Sequence, residues 1–354
     1  MNVEIELINK HFFYNDDKDS LNDKNTNMTR SKIINHCYYA INEANISHKI
    51  KQIPYYSNFF SILEDFKVLN VSQLNEDMIE KLKNAENIKY YLFKYNDKKS
   101  LTILDFIYTS TNIKKLIFDM INSFKHVLRS LYILNKNDVC FFNISPNNII
   151  FLTTYREKPV LNNFQLSLEL DKLEYKYFSQ ILDKIEDFIY MPLEIHTLFY
   201  IIKHNMQTLS YSFVEELSEY YVNNLHILKL FSENYKQSYK LQCVDFLKRY
   251  INIPIKNIIN DLFERNNKWD VFGISMLYIQ IFGSISRVFS LKGTFISKIS
   301  VELSRNLHPN SDKRYTLNET LNIFNKLLNE HDDWSFVNNL DNNKLTQLFD
   351  DFST

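Results

Sequence analysis

The stretch CFFNISPNNIIF, residues 140–151, joins two apolar runs through a turn holding asparagines, a serine and a proline. Its cadence is that of a catalytic loop: an apolar strand, a proline, an asparagine, then a second apolar strand. Where proton abstraction would need a carboxylate, the chain carries Asn143. An amide oxygen accepts a hydrogen bond, but it is uncharged and is no usable base near neutral pH. A second amide, Asn163, follows in LNNFQLS at 161–167. Asn148 and Asn163 are likewise uncharged, whereas a hard cation such as Mg²⁺ prefers anionic oxygen. Glu169 and Asp171, a few residues on, are the nearest substitute carboxylates.

The elements that must position these residues are legible in part. Residues 3–9, VEIELIN, alternate as a strand does, and 14–30 read as a polar loop. Ile34, Cys37, Tyr38, Ile41, Ile46 and Ile50 fall near one stripe, which predicts a helix from Ser31 to Lys51. A turn and a strand or two follow in IPYYSNFFSILEDFKVLNV, and NIKYYLFKYN at 87–96 is an aromatic strand. SLTILDFIYTS predicts a helix with Ser100 as its N-cap. Residues 111–135 form a long amphipathic helix with Leu116, Met120, Phe124, Val127, Leu128 and Leu131 on one face. KPVLNNFQLSLEL reads as a strand and its exit, and from about 172 onward the chain is mostly helical. Strands first and helices later imply two lobes rather than alternating βαβ units.

Composition bounds the function. The 354 residues are 45% hydrophobic and 23% charged, enough apolar content for a sizeable core. With 41 basic and 42 acidic residues, no global field favours nucleic acid or an acidic membrane. The three glycines stand at 273, 283 and 293, which excludes a Gly-rich phosphate loop. Cys37, Cys140 and Cys243 are isolated thiols, which points to a reducing compartment, and Cys140 reads as a buried small hydrophobe. The nine histidines lack metal-ligand spacing. The polar N-terminal stretch is not read as a signal peptide, and no apolar run of about 18 residues predicts a membrane helix.

Five segments in order carry a resemblance. Phe141 to Asn148 fill the eight places of the protein-kinase catalytic loop H-R-D-L-x-x-x-N. Asn163, Phe164 and Gln165 stand where D-F-G would. YMPLE at 190–194 resembles the end of an activation segment, with Glu194 as its acid. KWDVFGISMLYIQIF at 268–282 resembles the kinase central helix, with Asp270 in place. HPNSDKRYTLNETL at 308–321 resembles the late segment that carries an arginine, here Arg314. Over about residues 40–330 the chain thus resembles the protein kinase superfamily, and within it the kinase-like proteins of large DNA viruses. The excess of Asn, Lys and Ile suits an A+T-rich genome.

The resemblance implies roles residue by residue. Asn143 occupies the position of the catalytic aspartate and Ser145 that of the loop lysine. Asn148 and Asn163 occupy the Mg²⁺-binding positions. Glu43 is the candidate acid of the regulatory helix, and Lys10, after VEIELIN, the candidate ATP-binding lysine, with no V-A-I-K present. Asp270 would tie down the catalytic-loop backbone, and Glu194 with Arg314 would form a buried ion pair. Scaffold positions are kept and reaction positions changed, the pattern of a pseudokinase. Seventy-five residues separate Glu194 from Asp270, where a kinase has a short loop.

The expectation is therefore an α+β, bilobal protein-kinase-like fold. It comprises a reduced β-rich N-lobe with hinge (1–96), a helical C-lobe (97–332) with a large helical insert at about 197–266, and a helical tail (333–354). The expected function is a binding or regulatory scaffold, cytoplasmic or virion-borne if viral. ATP and Mg²⁺ are the cofactors the resemblance implies. Protein partners would dock through the insert, with no nucleic acid and no membrane as partners. The alternatives are an atypical Ser/Thr kinase with weak phosphoryl transfer and a structural protein without nucleotide binding.

Overall fold

The computed structural model describes residues 5–7, 29–35, 37–69, 90–96, 99–153, 158–185, 188–331 and 334–353. The first lobe is a four-stranded antiparallel sheet in the order β1-β2-β4-β3, made of β1 (Ile5–Leu7), β2 (Thr29–Asn35), β3 (Leu63–Leu69) and β4 (Tyr90–Asn96). Helix α1 (Tyr38–Lys51) covers one face of it. Ile34, Tyr91 and Phe93 of the sheet pack there against Tyr39, Ala40 and Ala44 of the helix.

The helix predicted from Ser31 thus begins only at Tyr38, and Ser31–Asn35 belong to strand β2. Ile33 pairs with both Ile5 and Leu92, and Ile34 with Tyr91, so this segment is central to the sheet. Two adjacent β-branched residues between two partner strands favour the extended form over a stripe that also fits a helix.

The second lobe opens with a small sheet ordered β5-β7-β8, from β5 (Ser100–Thr102), β7 (Ile149–Leu152) and β8 (Pro159–Leu161). Ser100 is strand, paired with Leu152, and caps nothing. The cap of α2 (Ile103–Tyr108) is Thr102, whose hydroxyl accepts from the Asp105 N–H while the Asp105 carboxylate receives the Thr102 N–H, a reciprocal capping box. Helix α3 (Ile113–Lys136) starts at Asn112, and the predicted apolar face from Leu116 to Leu131 is fully buried. Each such side chain contributes roughly 1.5–3 kcal/mol by leaving water. A two-stranded ladder pairs β6 (Val139–Cys140) with β9 (Leu168–Glu169) across the intervening loops.

Among the described residues the remaining helices are α4 (Tyr175–Leu182), α5 (Leu193–Lys203), α6 (Tyr211–Asn224), α7 (Glu233–Lys248), α8 (Ile255–Phe263), α9 (Trp269–Val288), α10 (Phe295–Arg305), α11 (Leu317–Glu330) and α12 (Leu345–Ser353). Helix α9 is the axis of the core and is apolar on nearly every side. The stretch 266–288 is long and apolar enough to cross a membrane, contrary to the expectation from run length, but 78% of its most apolar window is buried inside the molecule.

The insert is a wall of this core. Tyr221 of α6 and Tyr239 and Phe246 of α7 are fully buried, and Tyr239 Oη donates to the Leu307 carbonyl at 2.6 Å. The tail also returns to the core. Arg287 of α9 grips Asp351 of α12, Phe349 meets Tyr108 edge-on, and Asn342 Oδ1 accepts the Ile113 N–H at 2.9 Å. The architecture is α+β in two lobes, strand-rich first and helical after.

Candidate functional site

The site is built on the floor that α9 provides. Asp270 Oδ2 accepts the Phe141 N–H at 2.8 Å and Oδ1 the Phe142 N–H at 2.7 Å. These bonds hold Phe142 at φ 62°, in the left-handed region that a bulky residue occupies only when its surroundings fix it there. Burial pushes the Asp270 carboxyl up to about 6, against the two N–H groups, which favour its charged form. Cys140 beside it is buried, and burial together with the Asp270 charge drives its thiol well above the ordinary range. That thiol is no nucleophile. Gly273 lets α9 come this close, since a Cβ there would sit 2.9 Å from the Tyr190 carbonyl oxygen and 3.0 Å from Ile144.

From that floor an apolar column rises toward the first lobe. Phe141 meets Phe164 edge-on at 5.3 Å, and Phe164 meets Phe60 edge-on at 6.1 Å. Phe164 is buried, so the segment after Asn163 is pinned inward. Ser167 Oγ adds a bond to the Phe141 carbonyl at 2.9 Å.

The amides lie beside this column. Asn163, at φ 61°, donates its side-chain N–H to Asn148 Oδ1 at 3.2 Å. Asparagine tolerates the left-handed conformation better than most residues. Asn148 is buried and donates to the Asn143 carbonyl at 2.9 Å. The half-buried Asn143 side chain makes no hydrogen bond among the described residues. Ser145 accepts the Asn147 N–H at 3.2 Å and caps the short turn Pro146–Asn148, so its hydroxyl is spent on the loop itself. Asn143, Ser145, Asn148 and Asn163 are therefore gathered into one constellation.

This constellation does not fit a magnesium ion. The one side-chain oxygen of Asn148 already accepts from the Asn163 amide, and among the described residues no carboxylate bonds to either amide. Glu169 pairs with Lys172 at 2.8 Å and Asp171 with Lys49 at 3.0 Å, so both candidate substitutes are engaged elsewhere. Lys49 also holds the Asp171 carboxyl below the usual range. Among the described residues no group of three or more His, Cys, Asp or Glu is placed to hold a metal.

Helix α1 is docked onto the same segment. Asn42 Nδ2 donates to the Gln165 carbonyl at 2.9 Å and to the Ser167 carbonyl at 2.8 Å. Tyr177 Oη donates to Asn42 Oδ1 at 2.9 Å. One residue on, Glu43 is buried and accepts from Tyr95 Oη at 3.0 Å, which ties the helix to strand β4. Ser47 Oγ accepts the Leu63 N–H at 3.2 Å.

Lys10 lies outside the described residues. Another lysine, Lys32, is described on β2. It stands two residues before Ile34 on β2 and therefore shares its face, the one against α1. Cross-strand it pairs with Phe93. The strand carrying it directly precedes the helix carrying Glu43. Reading Ser31–Asn35 as helix hid this lysine, although the adjacent Ile33 and Ile34 were the sequence signal for a strand. Asn42, Tyr95 and Tyr177 were also missed, since nothing in their spacing marks a contact across more than fifty residues.

Further from the amides, Arg314 Nη1 and Nη2 meet Glu194 Oε1 and Oε2 at 3.1 and 3.0 Å, with both side chains fully buried. Arg314 also donates to the carbonyls of His308 and Pro309 and lies 5.0 Å from the Phe272 ring centroid. Tyr221, Tyr239 and Cys243 of the insert surround the pair closely enough for the Arg314 charge to oppose the rise that burial imposes on them.

Comparison with known proteins adds little beyond this geometry. No protein-family model matches the chain. No curated protein matches it either. Among solved structures it is similar to the autoinhibited serine kinase domain of the giant muscle protein titin. That likeness has 14% identity and a TM-score of 0.42, and covers 83% of this chain and 70% of that one.

Proposed function

We propose that this kinase-like chain is a binding protein that lacks the chemistry of phosphoryl transfer, a pseudokinase serving as a scaffold. The observation that carries the reading is the run of amides from Asn163 through Asn148 to the Asn143 backbone, closed by hydrogen bonds. Transfer needs a base to orient the acceptor hydroxyl and anionic ligands to hold Mg²⁺ against the phosphates. The amides supply neither, and Ser145 brings no cation to the transferring group. Around them the supports are intact: Asp270 on the loop backbone, Phe164 buried in the column, α1 docked through Asn42. A rigid frame without reactive groups suits recognition. The insert's outer face, with Leu241 68% exposed, is the surface we assign to protein partners.

Thermal unfolding with ATP, in EDTA and in excess Mg²⁺, tests the reading. A shift of equal size in both supports a nucleotide-binding pseudokinase. A shift that needs Mg²⁺ contradicts it. No shift in either supports the structural alternative, a scaffold without a nucleotide. One arrangement favours the second reading, an atypical Ser/Thr kinase: the buried Glu43 and half-buried Lys32 share the face between sheet and helix. Transfer of labelled γ-phosphate, abolished by Asn148→Ala, would establish that alternative.

A further inference from the structure

A cavity opens whose lining includes none of the site's amides. The loop after α1, one face of α3 and the β7–β8 hairpin enclose a volume of about 760 Å³. That volume is in the range of pockets that take a small organic ligand. Three basic side chains converge on it: His126 and Arg129 from α3, and Lys158 from the head of β8. Among the described residues that line it, none is an aspartate or glutamate. Neither Arg129 nor Lys158 has an ion-pair partner among the described residues, although the chain holds 42 acidic residues. Both are exposed, while His126 is half-buried.

Contacts to Phe59 and Asn58 hold His126 and Arg129 in place. His126 stacks on Phe59 with centroids 5.1 Å apart and bonds the Asn58 carbonyl through Nε2 at 3.0 Å. A carbonyl can only accept, so Nε2 carries the proton. Arg129 lies over the same Phe59 ring at 5.8 Å. Burial lowers the His126 imidazole, and the charges of Lys158 and Arg129 lower it further, against the bond to the Asn58 carbonyl, which raises it. The floor is apolar, from Ile133, Leu152 and Val160.

We infer that this pocket binds a phosphate monoester on a compact apolar body, an aryl phosphate in its simplest form. A phosphate monoester near neutral pH carries close to two negative charges, matching Arg129 and Lys158. The apolar floor then takes the body of the ligand. The ester has two sources, a free small molecule or a phosphorylated side chain of another protein. Neither depends on the amides.

Isothermal titration of the full chain with phenyl phosphate, a phosphotyrosine peptide and inorganic phosphate tests the inference. Phenyl phosphate or the peptide binds saturably, and inorganic phosphate binds at least tenfold more weakly for want of an apolar body. Tighter binding of the peptide assigns the ester to a phosphoprotein, and equal binding to a small molecule. Arg129→Gln with Lys158→Gln weakens either at least tenfold while the melting temperature holds, since both side chains are exposed. No saturable binding by any probe overturns the inference. So does binding that the double variant leaves unchanged, or inorganic phosphate binding as tightly as the ester.

Discussion

Asn163 donates its side-chain amide to Asn148 Oδ1 at 3.2 Å, so the oxygen that would face a metal ion is already hydrogen-bonded within the protein. Asn163→Asp replaces that donor with an anionic oxygen beside Asn148. The variant should gain a Mn²⁺- or Mg²⁺-dependent rise in melting temperature in the presence of ATP, while the parent chain shows none. An equal metal response in the parent would mean that the amides do not close the site.

The buried pair of Glu194 and Arg314 predicts a large, asymmetric stability effect. Removing one partner leaves a charge in a fully buried place, so Glu194→Gln or Arg314→Met should lose roughly 3–5 kcal/mol. Glu194→Leu with Arg314→Met should recover part of that loss, because no lone charge remains. Urea unfolding of the three variants measures this. Losses that simply add would contradict a direct coupling.

Asp270 answers two buried N–H groups at once, at 2.8 and 2.7 Å. Asp270→Ala leaves both unsatisfied, at about 1–3 kcal/mol each. Asp270→Asn keeps one acceptor and should fall between. Gly273→Ala should also destabilise, by about 1–3 kcal/mol, because its methyl would press on the Tyr190 carbonyl and Ile144. A neutral Gly273→Ala would show that this contact relaxes freely.

Acid should weaken the fold before the carboxylates titrate in bulk. Burial lowers the His196 imidazole from 6.5 to about 4, so between those values the folded state holds fewer protons than the unfolded chain. Its contribution is complete above pH 6.5 and is lost as pH falls toward 4, worth about 3 kcal/mol in full. His308 is lowered to about 4 as well, by burial and by the Lys313 and Arg314 charges. Asp270, raised from 3.8 to about 6, acts in the opposite sense and loses stability as pH rises through that window. Two imidazoles outweigh one carboxyl, so melting temperature should fall from pH 6.5 to pH 5. His196→Leu should flatten that slope.

Long periodic segments were readable in the sequence, and close alternatives were not. The face of α3 was legible because a stripe of large apolar residues over 24 positions fits only a helix. The α+β order and the gathering of the amides followed from local pattern and motif order. The strand of Lys32 was not legible, because Ile33 and Ile34 fit both a helix stripe and a strand, and only pairing with β1 and β4 decides. Thr102 displaced Ser100 as a cap because β7 claims Ser100 for a ladder. The insert read as a helical element for docking partners, and the burial of Tyr239 and Phe246, which its length does not reveal, makes it part of the core. Deleting residues 200–262 would therefore unfold the chain, and surface changes such as Leu241→Glu are the better probe of partner binding.

The central claim is that the frame is kept and the reaction is not. Incubation of the purified chain with γ-labelled ATP, Mg²⁺ and a generic Ser/Thr substrate tests it most directly. The account predicts no labelled substrate and no self-labelling above an Asn148→Ala control. Label transfer by the parent chain that the Asn148→Ala variant loses would contradict it.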